Sequence, residues 1–235
     1  MGMKPGSRGR PSRLTVVLAF AGAVAAAVAL IVVALLFRSG DDAPPPSPTP
    51  SLELTGIPQE DRILGDPAAR VTLIEWADPQ CPACRFYNEE IFPTLVDEYV
   101  RRGNAKTEFR GYPFIGADSV KGYRFILAAG LQNRLWNLQD ALYRSQGAEN
   151  SGWVTDDLLR ELAHGVAGLD VDKLFADAES EPIVQEAEVA ASEAQAAGIT
   201  GTPSLFVEIG DAEPYFIQVA TPDQMRAALD DALRS

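Results

Sequence analysis

Only two cysteines occur in this 235-residue chain, and they stand together as Cys81-Pro82-Ala83-Cys84. The run before them, Val71-Thr72-Leu73-Ile74-Glu75-Trp76-Ala77, reads as a buried strand, and Asp78-Pro79-Gln80 reads as a turn. From Pro82 onward the pattern is helical, with Pro82 at the first helical position, where its missing N–H costs nothing. Cys81 therefore falls at or beside a helix N-cap. Free backbone N–H groups and the positive end of the helix macrodipole favour a thiolate there over a thiol.

Three chemistries compete for such a pair. A structural zinc site needs four ligands, and this chain offers no third cysteine and one histidine, His164, about 80 residues away. A purely structural disulfide gains little from so short a loop, because its stabilisation grows with loop length. Dithiol redox chemistry is what remains, and the strand-to-helix placement suits it.

The order of strand, Cys-Pro-Ala-Cys and helix, then a distant Thr202-Pro203 before the strand-like run Leu205-Phe206-Val207-Glu208-Ile209, resembles the thioredoxin fold. It is most similar to the DsbA-like extracytoplasmic thiol-disulfide oxidoreductases, whose thioredoxin core carries an inserted helical subdomain. The lead-in Leu64-Gly65-Asp66-Pro67-Ala68-Ala69-Arg70 also resembles that family, and the resemblance covers residues 60–235.

The resemblance implies that Cys81 is an exposed nucleophile and Cys84 a buried resolving thiol, with Pro82 and Ala83 completing the motif. It implies that Glu75, six positions before Cys81, is a buried acid with a raised pKa that exchanges a proton with Cys84. The bland alternative is an acid at the strand end that reaches solvent. It implies a cis peptide at Thr202-Pro203, whose backbone would bind an extended substrate; otherwise Pro203 is trans and simply opens a strand. No cofactor or metal beyond the cysteine pair is implied. Ala83 departs from the histidine of strongly oxidising relatives. Asp78, Arg85, Glu89 and Glu90 read as solvated charges, and His164 as a helix-end cation.

Residues 14–37 carry no charge, which is long enough to cross a bilayer. Lys4, Arg8, Arg10 and Arg13 precede this run, placing that end in the cytoplasm. The run exceeds the apolar core of a cleaved signal peptide, so the expectation is an uncleaved transmembrane signal-anchor after a basic tail (1–13). A proline-rich linker, 38–58, should then hold the 59–235 domain away from the membrane on the extracytoplasmic side. All 33 acidic residues but only 15 of the 20 basic ones lie beyond residue 38, leaving that segment at −18. Such acidity argues against nucleic acid as a partner.

Within the outer domain a helix should run from the cysteines to about Arg102, kinked at Pro93. A strand over 106–112 and helices over about 118–198 follow, with caps at Thr155, Asp170 and Ser180. A hairpin (205–209 with 215–219) and a final helix opened by the capping box Thr221-Pro222-Asp223-Gln224 complete an α/β thioredoxin fold with a satellite helical bundle. The function expected is disulfide exchange with exported cysteine-containing proteins, most readily as an oxidase served by a quinone-linked membrane thiol oxidase. A reductase or isomerase fed by a membrane electron donor, and a non-catalytic client-binding or chaperone-like module, stay open.

Overall fold

The structure is a computed structural model that describes residues 52–235. The expected membrane helix at 14–37 and the linker up to residue 51 lie outside the described residues. Among the described residues no helix is long and apolar enough to cross a membrane.

A six-stranded sheet carries the domain. Its strands are β1 (Gln59–Glu60), β2 (Ile63–Gly65), β3 (Val71–Ala77), β4 (Ala105–Gly111), β5 (Ser204–Ile209) and β6 (Tyr215–Ile217), in the spatial order β1-β2-β4-β3-β5-β6. β3 lies at the centre, parallel to β4 and antiparallel to β5. Only Trp76 of its seven residues is partly exposed, the pattern of a strand covered on both faces rather than an alternating one. The register sets Glu75 opposite Phe109 and Leu205, so the carboxyl shares a face with two buried apolar side chains.

Helix α1 spans 82–100 and leads from the cysteines. It consists of an α segment (Pro82–Phe86), a π-helical turn (Tyr87–Ile91), a second α segment (Phe92–Leu95) and a second π turn (Val96–Val100). The kink expected at Pro93 takes this form. Pro93 has no N–H for the carbonyl four residues back and its ring crowds that turn, so the backbone widens just before it. The wide turn buries Tyr87, Asn88 and Ile91 together.

Five helices follow β4: α2 (Ala117–Gly130), α3 (Leu135–Arg144), α4 (Asp156–Gly165), α5 (Val171–Ala178) and α6 (Glu181–Ala196). They are not a satellite bundle. One continuous core runs from Leu73 and Phe109 of the sheet through Phe92 of α1 to Trp136, Leu142, Leu159 and Leu174 of the insert. The Phe92 and Trp136 rings stack at 5.2 Å, and Phe109 meets Trp136 edge-on at 6.1 Å. Those large rings fill the space between sheet and insert, which is why the two cannot be separated. On the other sheet face Ala194 and Ile199 pack with Tyr112, Trp76 and Phe206 as a smaller cluster.

The last helix, α7 (Pro222–Arg234), is tied to α1 by Arg226 with Glu98 at 2.8 Å and Tyr99 with Asp230 at 2.8 Å. Caps at Thr155, Asp170 and Thr221 accept the N–H groups of Leu158, Lys173 and Gln224. Ser180 differs: its hydroxyl turns back to donate to the Asp177 carbonyl at 2.6 Å and caps nothing. The hairpin's second strand stops at Ile217 rather than Val219, because 218–220 leave the sheet to line a groove beside the cysteines.

Residues 52–58, read from sequence as linker, pack on the domain. Leu52, Leu54 and Ile57 are buried, the Leu52 N–H reaches Asp140, and Arg101 donates to the carbonyls of Glu53 and Thr55. Alternate apolar residues outweigh the proline-rich lead-in here.

Gly111 ends β4 where a Cβ would stand 2.1 Å from the Tyr123 ring. That ring is fully buried, and its hydroxyl donates to Glu186, itself paired with Arg62. Gly111→Ala is therefore expected to destabilise the domain by about 2 kcal/mol in urea denaturation; an unchanged midpoint would mean that the ring can yield.

Candidate active site

β3 delivers the chain to a short turn, and Cys81 sits at the N-cap of α1 with extended backbone (φ −69°, ψ 119°) and Pro82 at the first helical position. Its Sγ accepts the Cys84 N–H at 3.4 Å, as a capping side chain does. The same sulfur lies 3.3 Å from the Thr202 carbonyl, to which the thiol donates. The Thr202–Pro203 peptide is cis. Both cysteines are free thiols.

The two sulfurs have opposite environments. The hydrogen bond from the Cys84 side chain is the largest influence on Cys81, opposed by burial and assisted by Thr202 and by the N–H groups of Cys84 and Ala83; together they bring its pKa down to about 6. Arg85 is not among these causes, being paired with Glu89 at 3.0 Å. Cys84 is pushed well above the ordinary thiol range, first by burial and then by its hydrogen bond with Cys81 and the Cys81 charge. When Cys81 ionises, the Thr202 carbonyl loses its donor. The Thr202 hydroxyl, whose hydrogen bond is among the causes that lower Cys81, is then the donor left to the sulfur.

Cys81 is not openly exposed. Only 7% of the residue is accessible, against 0% for Cys84, so the expectation that Cys81 is exposed is corrected: the residue is recessed. The cause is the loop carrying Thr202 and Pro203, which folds over the sulfur.

Glu75 is 1% exposed, and burial alone raises its pKa to about 8. Its hydrogen-bond contact among the described residues is the Gln139 side-chain amide at 3.5 Å, the outer limit for such a bond. The reading in which this acid reaches solvent does not hold. Tyr87 and Tyr143 are both fully buried, and both phenols are raised first by burial and then by the charges of Glu75 and Cys84, so both lie in the field of the acid and the Cys84 sulfur.

Asp78 is the site residue hardest to foresee. It is 0% exposed and not a solvated charge. Its carboxylate accepts from the Gln80 N–H, the Ser119 hydroxyl and the N–H groups of Phe114 and Ile115. An Asp two residues before an unpaired N–H is an Asx-turn signal, and that is the one trace of it in the sequence. Glu90 and His164 are exposed. Among the described residues no three His, Cys, Asp or Glu side chains converge as metal ligands would.

The thioredoxin family profile matches residues 58–231. The probable disulfide bond formation protein D of Bacillus cereus is 31% identical over 174 residues, covering 73% of this chain and 78% of that protein. This chain belongs to the DsbA-like disulfide oxidoreductases of the thioredoxin family. It is a protein thiol-disulfide oxidoreductase. Solved folds agree. Oxidised BdbD of Bacillus subtilis superposes with a TM-score of 0.65 at 22% identity, over 76% of this chain and 99% of that one. The α-DsbA1 of Wolbachia pipientis gives 0.64 at 22%, over 74% and 91%.

Beside the cysteines this oxidoreductase carries a groove of about 330 Å³, walled by Ala83 and Phe86 of α1, by Pro203 and Leu205, and by Phe216 and Val219. Phe86 is 54% and Phe216 59% exposed. Two aromatic rings held in water beside the cysteine pair form an exposed apolar patch. Neither ring carries a signal in the sequence, since each falls among ordinary strand or helix residues.

Burying Glu75 protonated has a consequence for stability. The folded state holds this proton up to about pH 8, whereas an unfolded glutamic acid releases it near its ordinary value of 4.5. Between those values the folded state binds more protons, so the stability present at low pH is lost as pH rises, by up to about 1.4 kcal/mol per pH unit. Glu75→Gln is expected to flatten that decline in urea denaturation of the reduced protein between pH 5 and pH 8. An equal slope in the variant would mean that Glu75 ionises in the folded protein as it does in water.

Proposed function

We propose that the Cys81-Pro82-Ala83-Cys84 dithiol is the redox centre, and that the protein donates disulfides to exported cysteine-containing proteins. The observation that carries this reading is the opposed tuning of the two sulfurs, Cys81 down to about 6 and Cys84 well up. A stable Cys81 thiolate favours the reduced form, which makes the disulfide form the better oxidant.

In the oxidised enzyme a client thiolate attacks Cys81 Sγ. The client–Cys81 bond forms, the Cys81–Cys84 bond breaks, and the electron pair leaves on Cys84. Cys84 is a poor thiolate in its apolar surroundings and takes a proton. Glu75, protonated at neutral pH and buried nearby, is the proton donor in this reading and is replenished from solvent. A second client thiolate then attacks the client sulfur of the mixed disulfide and expels Cys81 as its stable thiolate. The client is oxidised by two electrons and the enzyme dithiol is the product. Re-oxidation runs in reverse against an electron acceptor: Glu75 first releases its proton to solvent and then takes the Cys84 proton as that sulfur attacks.

The groove beside Ala83 and Pro203 suits an extended client segment. The Thr202 backbone would pair with it as an added strand, and Phe86 and Phe216 would flank its side chains. Residues 14–37 would anchor the chain with the 52–235 domain outside the cytoplasm, where a quinone-linked membrane thiol oxidase would return the enzyme to its disulfide. The name of the Bacillus cereus relative, disulfide bond formation protein D, supports the oxidase direction. A reductase or isomerase supplied by a membrane electron donor is the alternative, and the absence of a histidine at Ala83 is the feature that favours it.

Cys84→Ser is expected to trap a client disulfide through Cys81, and Cys81→Ser to trap none; capture by Cys84 would reverse the two roles. Equilibration with glutathione separates the directions. A potential toward about −120 mV identifies a disulfide donor, and one near about −270 mV a reductant.

A further inference from the structure

The turn that carries Cys81 makes few of its hydrogen bonds with the thioredoxin half. Instead, the insert satisfies it. Ser119 of α2 and the Phe114 and Ile115 N–H groups at the mouth of the insert hold the Asp78 carboxylate, at 2.6, 2.8 and 3.0 Å. Tyr143 of α3 donates to the Asp78 carbonyl at 3.3 Å. The Gln146 amide bridges the carbonyls of Pro79 and Cys81, at 2.9 and 3.2 Å. Gln80, fully buried, exchanges bonds with Asn150 and Ser119.

At the centre of this lattice is a buried carboxylate with four donors, two on each oxygen, and none of them is a lysine or arginine. A carboxylate is the side chain of this size that presents two oxygens and no donor. Asparagine would turn an N–H against either the Phe114–Ile115 pair or the Gln80 N–H. A negative charge three residues from Cys81 opposes ionisation of that sulfur, so any support Asp78 gives the thiolate must be geometric. The geometry is specific: the Asp78 carbonyl also accepts the Cys81 N–H at 3.0 Å, and this contact orients Cys81 over the start of α1.

We propose that Asp78 is the positioning residue that locks the Cys81 turn to the helical insert, making the insert a working part of the redox centre rather than an appendage. This rests on the reading of Cys81 as the nucleophile. Charge and geometry predict opposite signs. Removing the charge alone would stabilise the Cys81 thiolate; freeing the turn would weaken its hydrogen bonds from Cys84, Ala83 and Thr202.

The test is ultraviolet thiolate titration of Cys81 in the reduced protein, joined to its redox equilibrium with glutathione. Asp78→Asn is expected to raise the Cys81 pKa by about one unit. The disulfide should then become about tenfold less oxidising, about 30 mV lower for this two-electron couple. Ser119→Ala, which keeps the charge and removes one of the four bonds, is expected to shift both in the same direction by a smaller amount. Asp170→Ala, which removes the cap of α5 and lowers stability away from the cysteines, is expected to leave both unchanged.

A Cys81 pKa that is unchanged or lower in Asp78→Asn would overturn the proposal, and so would an equal shift in Asp170→Ala. If Asp78→Asn does not fold, Ser119→Ala decides alone, and no shift there counts against it. Failure of the nucleophile assignment would appear separately, as a Cys84→Ser protein that captures no client, because the titration reads the enzyme by itself.

Discussion

Exclusion of water from the C-terminal half of β3 is the condition on which the chemistry of this oxidoreductase depends. With sheet neighbours on both edges and packed helices on its faces, that strand carries Glu75 into a site where its charge has one weak partner. The same desolvation acts on Cys84, one turn into α1. Both groups therefore hold their protons at neutral pH, and under the function proposed a proton passes between them as a sulfur–sulfur bond forms or breaks. Cys81 escapes this fate by its position at the helix start, where N–H groups, the partner thiol and Thr202 converge on one sulfur.

Such a division requires a rigid turn. A small rotation of Cys81 would exchange its hydrogen bonds for contact with apolar surroundings and erase the difference between the two thiols. The stacked Phe92 and Trp136 rings join α1 to α3, and the polar lattice around Asp78 joins the turn to α2 and the loop after α3. Packing and hydrogen bonding thus brace the same few residues from two sides, with the insert supplying most of both.

The sequence disclosed what depends on local chemistry. The strand before the cysteines, Cys81 at an N-cap, the proline at the first helical position and three of four proposed side-chain caps all follow from short-range rules. The buried state of Glu75 was legible because an acid placed within an apolar strand is carried into the core along with its neighbours. Asp78 was not legible: its four donors come from Gln80, 114–115 and Ser119, and only the first is near in sequence. The satellite-bundle expectation failed for a related reason, since amphipathic spacing in α3 reveals that Trp136 is buried but not that its partner is Phe92. Ser180 failed on rotamer choice, because its hydroxyl found the Asp177 carbonyl before its own helix.

The recessed position of Cys81 also bears on timing. A sulfur sealed inside a finished globular domain cannot be brought to the recessed Cys81, a residue only 7% accessible, whereas one on a loose, extended stretch can be threaded beside Pro203. Under the function proposed, access alone would sort substrates by their stage of maturation. Chains still emerging and unpacked would be served, and completed proteins would pass by untouched, with no recognition motif needed to tell them apart.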